Sequence, residues 1–222
     1  LYKRYYDLTK KVPDKLKTFY LGNQYQNDDI KKFYDNYEFK NIKTKISFHE
    51  DIEKKISELI FEDKIVARFK GKMEFGARSL GNRAIICNAT NVDLVKEINH
   101  IVKNRDFWMP FAPSLINEDE FLENPKNISM EFMIMATDFK KKYKNFFKGV
   151  IHPYDLSCRP NVVKKSTNQD YFNLINHYYK LSGYGVILNT SLNLHGLPIV
   201  SDPNDAFYVL DKSGLKYLAI EN

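Results

Sequence analysis

Cysteine is scarce in this 222-residue chain. Cys87 and Cys158 are the only two, too few for a disulfide framework, and reduced thiols in a cytosol are the simpler reading. On that reading the Asn-x-Ser/Thr triplets at Asn88, Asn127 and Asn189 are chance matches and not glycosylation sites. No apolar run approaches the roughly 18–20 residues that cross a bilayer, and no signal peptide is visible. The expectation is a cytoplasmic protein with no membrane partner. Also missing are a G-x-x-x-x-G-K-[ST] phosphate loop, an H-E-x-x-H pair and a paired C-x-x-C, which removes ordinary P-loop and zinc chemistry, and no metal ligands are assigned. The five histidines stand singly, and each is read as a surface or satisfied structural side chain. Internal repeats and low-complexity tracts are absent. The first residue is Leu1 and not Met, so the chain is expected to be a fragment of a longer product.

What is present fits a folded domain. Hydrophobic residues make up 43% and charged residues 28%, enough for a real core under a charged surface. The net charge of +6 is compatible with nucleic acid, membrane or phosphorylated substrates and decides among none of them. Lysines are scattered like solvated surface. Of the arginines, only Arg4 lies far from the motif segments described below. Arg68, Arg78, Arg83, Arg105 and Arg159 lie inside or beside them, and arginine is the usual choice for geometrically defined phosphate contacts.

Residues 1–45 show little periodicity and read as a connecting arm with short helical pieces, the tail of a missing N-terminal domain; residues 46–222 read as one domain. Ile52, Ile56, Leu59 and Ile60 predict an amphipathic helix from Glu50 to Phe61, followed by a strand from Ile65 to Phe69 and a second apolar run from Ala84 to Cys87. Leu94, Ile98, Ile101 and Val102 mark a helix with Asn91 as N-cap. Met130–Met135 reads as a buried strand. Phe172, Ile175 and Tyr179 define a helix closed by Gly183, and Val186–Leu188 is a strand running into a polar cluster. Asp202-Pro203 opens a last helix ended by Gly214, before a strand from Lys216 to Ile220. The intermixing predicts an α/β or α+β sheet covered by helices.

Five segments combine polarity with a loop or strand-end position. The stretch Gly71–Arg83 places three glycines at intervals of five among Lys72, Arg78 and Arg83, directly after a strand. A tight turn with surface cations is the plain alternative, but two arginines and three glycines in thirteen residues exceed the needs of a turn. Lys103-Asn104-Arg105 closes a helix, where dipole compensation alone would account for the charge. Pro110-Phe111-Ala112-Pro113-Ser114 fixes a rigid bend, or simply a structural corner. Asp155–Arg159 places an acid and an arginine four apart. Asn189-Thr190-Ser191-Leu192-Asn193 puts amides and hydroxyls at the carboxyl end of a strand, where sheet proteins usually bind ligands; a plain Asx/Ser turn is its alternative.

Taken together these segments resemble the C-terminal, YrdC-like domain of the O-carbamoyltransferases, the family of nodulation, tobramycin and cephamycin carbamoyltransferases. The family pattern G-x-x-E-F-G-x-R-[AS]-L-G-N-R is matched from Gly71 to Arg83. The pattern I-N-x-x-I-K-x-R is matched in part from Ile98 to Arg105, and P-F-A-P-S from Pro110 to Ser114. A D-G-[TS]-x-R element answers to Asp155–Arg159, and L-N-T-S-x-N-x-x-G-x-P-I-V to Leu188–Val200. Asp205-Ala206 matches a downstream D-A element, and Tyr20-Leu21-Gly22 the family's Y-L-G link.

The resemblance implies a YrdC-like twisted mixed sheet covered by helices. It implies binding of carbamoyl phosphate and ATP, with Mg2+ accompanying the ATP, and formation of carbamoyl adenylate. Transfer to an acceptor hydroxyl would fall to an N-terminal domain not contained in this chain. It assigns Arg78, Lys103 and Arg159 a catalytic part among the phosphates. Gly76, Gly81, Asn82, Arg83, Arg105, Ser114, Asn189, Ser191 and Asn193 are assigned to binding, with loop amides from Gly76 to Gly81 completing the cradle. Two polyanions repel each other, so their approach needs several fixed cations.

The chain departs from the pattern at four places. Met109 replaces the arginine of R-P-F-A-P, Leu156 replaces the glycine after the aspartate, Pro153 stands where a histidine is usual, and Ala77 replaces a proline before the loop's arginine. Two other readings follow: a YrdC-like module binding tRNA or double-stranded RNA, and a degenerate partner domain that has lost catalysis. Against the first, no aromatic-basic stacking motif or ordered basic stripe is seen.

Overall fold

The computed structural model describes residues 2–12, 17–104, 109–124 and 128–221. In chain order the helices are α1 (Tyr2–Thr9), α2 (Asn27–Asn36), α3 (Ile52–Phe61), α4 (Val92–Ile98), α5 (Glu118–Phe121), α6 (Gln169–Ser182) and α7 (Pro203–Lys212). The strands are β1 (Val66–Phe69), β2 (Arg83–Asn88), β3 (Ala112–Leu115), β4 (Thr137–Asp138), β5 (Ser157–Cys158), β6 (Asn161–Val162), β7 (Val186–Ser191) and β8 (Tyr217–Ile220). Six strands form one mixed sheet in the order β6-β3-β7-β2-β1-β8, and β4 pairs with β5 apart from it. Within the sheet β1 runs parallel to β8 and β3 parallel to β6, while the remaining neighbours are antiparallel. This is the mixed, helix-covered sheet that the alternation of elements predicts.

Side chains alternate across the sheet, and each face has its own cover. Val66, Ala84, Ile86 and Ile187 point toward α3 and α6, packing on Ile56, Ile60, Tyr171, Leu174 and Ile175. Ala67, Phe69, Ile85, Cys87 and Leu188 point the other way, onto Leu94, Ile98 and Val102 and onto Ala206 and Val209 of α7. With both faces covered, the inner strands β1, β2 and β7 are buried almost throughout.

The helix ends follow the capping rules. Asn91 accepts from the Asp93 amide at 3.0 Å, and Asp202 and Asp205 form a reciprocal capping box ahead of Pro203. Gly183 closes α6 in the left-handed region. After α4 the chain continues as a π-helical turn, Asn99–Lys103, so the expected single helix is two pieces of different pitch. The expected strand at Met130–Met135 is not one. Those residues form turns, Met133 has φ +53° and Ile134 is exposed; the apolar run packs a loop and joins no ladder.

The arm is docked onto the rest of the chain. Asp211 at the end of α7 accepts from the amides of Lys40 and Asn41 at 3.1 and 2.8 Å and from the Asn41 side chain at 2.8 Å. Tyr34, Tyr37 and Phe39 close around Phe207. Farther upstream, Phe19, Gly22 and Asn23 exchange backbone hydrogen bonds with Phe75 and Met73, which pins the arm along the loop between β1 and β2.

That loop in turn packs under α6 at Gly81. Its φ is +110°, and a Cβ built there would lie 2.3 Å from the Tyr171 ring. Gly76 shares the positive φ, at +106°, but faces open space. Gly81→Ala is therefore expected to destabilise by about 3 kcal/mol or more, through strain and overpacking together, and Gly76→Ala by only about 1–2 kcal/mol. Urea unfolding of the two variants checks this, and equal losses would mean that Tyr171 yields.

Candidate functional site

One side chain shapes the loop from inside. Glu74 is buried, and its Oε1 accepts from the amides of Leu80 (2.8 Å), Asn82 (2.7 Å) and Arg83 (3.2 Å) and from the Ser79 hydroxyl (3.4 Å). Arg83 is fully buried and clamps the same loop. Its guanidinium donates to the carbonyls of Lys70 (3.1 Å), Gly71 (3.0 Å) and Asn23 (3.2 Å) and stacks over Phe69 at 3.6 Å. Burial pulls its pKa down to about 10 despite Glu74 nearby. Arg68, buried too, donates to Gly81 O at 2.8 Å and to Asn82 Oδ1 at 3.1 Å. Asn82 also bonds Lys72 O and receives the Asn168 side chain.

These partners show where the expected residues stand. Arg83 and Asn82, expected on the phosphates, use most of their polar atoms on the protein's own groups, although Asn82 also lines a cavity beside the loop and the Arg83 Nε is buried without a partner. The amide cradle expected up to Gly81 is occupied at its far end: Glu74 takes the Leu80 amide, and the Ser79 hydroxyl takes that of Gly81 at 3.4 Å. Ser114, expected as a ligand contact, is fully buried and donates to Asn161 Oδ1 at 2.9 Å, which stitches β3 to β6. Arg105 lies outside the described residues. Glu74 itself went without a role in the sequence reading. Its signals in the sequence are an acid inside a glycine loop and its place as the glutamate of G-x-x-E-F-G, neither of which says which amides it meets.

The other candidates come together at the carboxyl end of β7. Asn189 is buried and donates to Ser79 O at 3.1 Å, which holds the residue after Arg78 against the strand. In the sheet register Asn189 pairs with Ala112, and Ser114 pairs with Asn161. Arg159 lies in the short link between β5 and β6, two residues before Asn161. Arg78 and Arg159 are both exposed, yet partial burial and the like charge of Arg159 lower the pKa of Arg78 from its ordinary value. Among the described residues neither guanidinium has an ion-pair or hydrogen-bond partner. Two adjacent arginines without a counter-charge form a ready clamp for a bidentate anion.

Two residues beyond Asn189, the other cluster begins. Lys103, at the end of the π-helical turn and 1% exposed, directs its ammonium at Ser191 O (2.5 Å), Ser191 Oγ (3.2 Å), Asn193 Oδ1 (2.6 Å) and Asn193 O (3.2 Å). The expected trio is assembled, but its three N–H donors already face four oxygens. A ligand would have to displace one of them. His195 adds a tie that the sequence did not signal. Its Nδ1 bonds Lys103 O at 2.8 Å, and its amide donates to Val102 O at 3.1 Å.

The turn that delivers Arg159 is built from His152, whose Nδ1 meets the amides of Tyr154 and Asp155 at 3.3 Å, and from Asp155, which accepts from Ser157 N at 2.9 Å. Leu156 in this turn has φ +61°, the left-handed region in which the resembled pattern carries glycine. The side chain is exposed, so it pays for no strain by packing.

Two outcomes follow. Leu156→Gly is expected to raise stability by about 0.5–1 kcal/mol in chemical denaturation; a loss would show that the leucine contributes contacts after all. Glu74→Ala leaves three loop amides without their acceptor and is expected to cost about 3 kcal/mol, whereas Glu74→Gln, which keeps one oxygen, costs about 1 kcal/mol. Thermal unfolding of the pair decides, and equal midpoints would argue against the carboxylate's role.

Comparison with known proteins places the chain in a family. The family model described as carbamoyltransferase C-terminus matches residues 57–222, which takes in both clusters and the loop. An uncharacterized protein of Methanocaldococcus jannaschii is 37% identical over 91% of this chain and 39% of its own length, and a second from that organism is 33% identical over 84% and 30%. Nodulation protein NolNO of Sinorhizobium fredii is 36% identical over 75% of this chain and 25% of its own length. The chain therefore spans well under half of these relatives. Among solved structures, HypF of T. kodakarensis superposes with a TM-score of 0.55 at 20% identity, covering 78% of this chain and 21% of that one. A full-length HypF in a phosphate- and nucleotide-bound form gives 0.52 at 17% identity, over 77% and 21%; both likenesses concern the fold. With the loop, the two clusters and the strand end that joins them all inside the matched region, the chain belongs to the carbamoyltransferase C-terminus family.

Proposed function

We propose that this domain binds carbamoyl phosphate and ATP and joins them into carbamoyl adenylate, and that a separate N-terminal domain passes the carbamoyl group to an acceptor hydroxyl. The observation that carries the reading is the pair Arg78–Arg159, two guanidiniums without a counter-charge among the described residues, held near β7 by the bond from Asn189 to Ser79 O. Polyanionic reactants supply the charge that this pair lacks. The phosphate- and nucleotide-bound form of HypF, a fold neighbour, supports the same reading.

Cleavage of carbamoyl phosphate by water yields carbamate and inorganic phosphate. A carbamate oxygen then attacks the α-phosphorus of ATP, and pyrophosphate leaves. No protein nucleophile is needed. The chain's part is to position the reactants and offset their charge. Arg78 and Arg159 hold non-bridging phosphate oxygens and lower the repulsion between the two anions. Lys103 keeps Ser191 and Asn193 in a fixed arc, in which the Ser191 hydroxyl donates to Asn193 Oδ1 and the Asn193 amide to the carbonyls of Leu194 and Leu197; the ammonium itself addresses the bound group once a ligand oxygen replaces one of its present acceptors. Among the described residues no group of three His, Cys, Asp or Glu side chains stands together to hold a metal. Mg2+ would therefore be carried by the nucleotide's own phosphates.

Pyrophosphate release dependent on both ATP and carbamoyl phosphate tests the reading directly. Arg78→Ala is expected to abolish it while leaving the unfolding midpoint in place, because the side chain is exposed and makes no internal bond. Arg159→Lys is expected to slow it at least tenfold, since a point charge cannot reproduce a two-pronged contact. Unchanged release in both variants, or none from the unaltered chain with both reactants present, would overturn the assignment.

A further inference from the structure

The loop after β7 and the π-helical turn hold each other through two side chains that cross in opposite directions. Lys103 sends its ammonium to Ser191 and Asn193. His195 reaches back: its ring Nδ1 lies 2.8 Å from Lys103 O, and its amide donates to Val102 O at 3.1 Å. Carbonyls in the last turn of a helix lack intrahelical donors, and here one residue serves two of them in succession. The turn closes at the same place. Asn104 donates to Asn99 O at 2.6 Å and enters the left-handed region at φ +43°.

The chemistry of the contact fixes the ring. A carbonyl oxygen only accepts, so the Nδ1 that meets it carries a hydrogen. That bond matters because an ammonium rides on a flexible four-carbon stem and is a fixed charge only when its base is held. Burial of Val102 sets the depth of the turn. The two bonds from His195 set the direction of the Lys103 peptide, from which the stem departs. His195 itself is exposed, and the bend beside it is made by Gly196 at φ +79°. The imidazole can therefore be exchanged without opening the core.

We propose that His195 is a positioning residue for Lys103. It acts on no reactant; it holds the Lys103 peptide so that the ammonium stays at the end of β7, aimed at the Ser191–Asn193 arc. The placement of the ammonium is a property of the fold, and its consequence for the rate rests on the reaction proposed above.

Reductive methylation of lysine amines in the full chain, read by peptide mass spectrometry, reports on the ammonium without any catalysis. Lys103 is 1% exposed, and His195→Ala and His195→Gln are expected to speed its methylation by about tenfold or more. His195→Asn, whose side-chain N–H takes the position of Nδ1, is expected to stay within about threefold of the unaltered chain. Steady-state pyrophosphate release is the second readout. Alanine and glutamine are expected to lower kcat by about tenfold or more and to leave KM for ATP within about threefold, because the ammonium acts on charge that develops in the transition state. Asparagine is expected to restore the rate. The unfolding midpoint is expected to fall by no more than about 4 °C, the effect of one exposed hydrogen bond; a merely structural tie would move that midpoint and leave kcat in place. Should the alanine variant lose its fold, the comparison of glutamine with asparagine decides. Methylation of Lys103 indifferent to these substitutions overturns the proposal, as does an unchanged kcat in an active chain. Faster methylation with no release from the unaltered chain supports the positioning and counts only against the reaction.

Discussion

A single carboxylate oxygen, Oε1 of Glu74, organises the segment on which the site depends. The loop between β1 and β2 must bring its amides inward if Gly81 is to fit beneath Tyr171, and inward-facing amides need an acceptor where water does not reach. Glu74 supplies that acceptor to Leu80, Asn82 and Arg83 at once. The buried Arg83 feels its charge, and Arg83 and Arg68 use their own donors on loop carbonyls. Once the loop is closed in this way, Ser79 meets Asn189, and Arg78 is carried to the end of β7.

The cations of this chain divide by what surrounds them. Arg68 and Arg83 are buried among carbonyls, amides and rings. Their guanidiniums serve as cross-links between segments, and burial lowers the pKa of Arg83 accordingly. Arg78 and Arg159 sit at the rim, where their mutual repulsion is tolerated because water still screens part of it. Lys103 falls between the two cases. It is buried like a strut, yet it bonds the polar residues at the strand end that would meet a ligand. Nothing in residue type separates these three conditions.

The arm behaves as part of the same construction. Its backbone ladder against Met73 and Phe75, and the seat of Asn41 on Asp211, tie residues 19–41 to the loop and to α7. A segment with little periodicity gives no sign of this, because its order comes from hydrogen bonds to distant residues and from an aromatic cluster around Phe207. The same holds for the short strands β4, β5 and β6, whose two residues each are too few to show an alternation.

Local patterns were enough to locate α3, α4, α6 and α7, the strands β1, β2, β7 and β8, and the capping residues Asn91, Asp202 and Gly183, because periodicity and cap chemistry act within a few residues. The motif spacing likewise marked the loop and the strand end as the places to look. Met130–Met135 shows the limit: an apolar run long enough for a strand folds into turns, touching the edge strand β6 only through the bond from Val162 N to Met130 O. Which cations are struts and which face outward was decided only in three dimensions. Arg83 and Arg78 stand five residues apart in one motif, but the first meets Lys70, Gly71 and Asn23 while the second meets Arg159. A side chain's role depends on partners that folding brings from 12 to 81 residues away, and no local pattern encodes them.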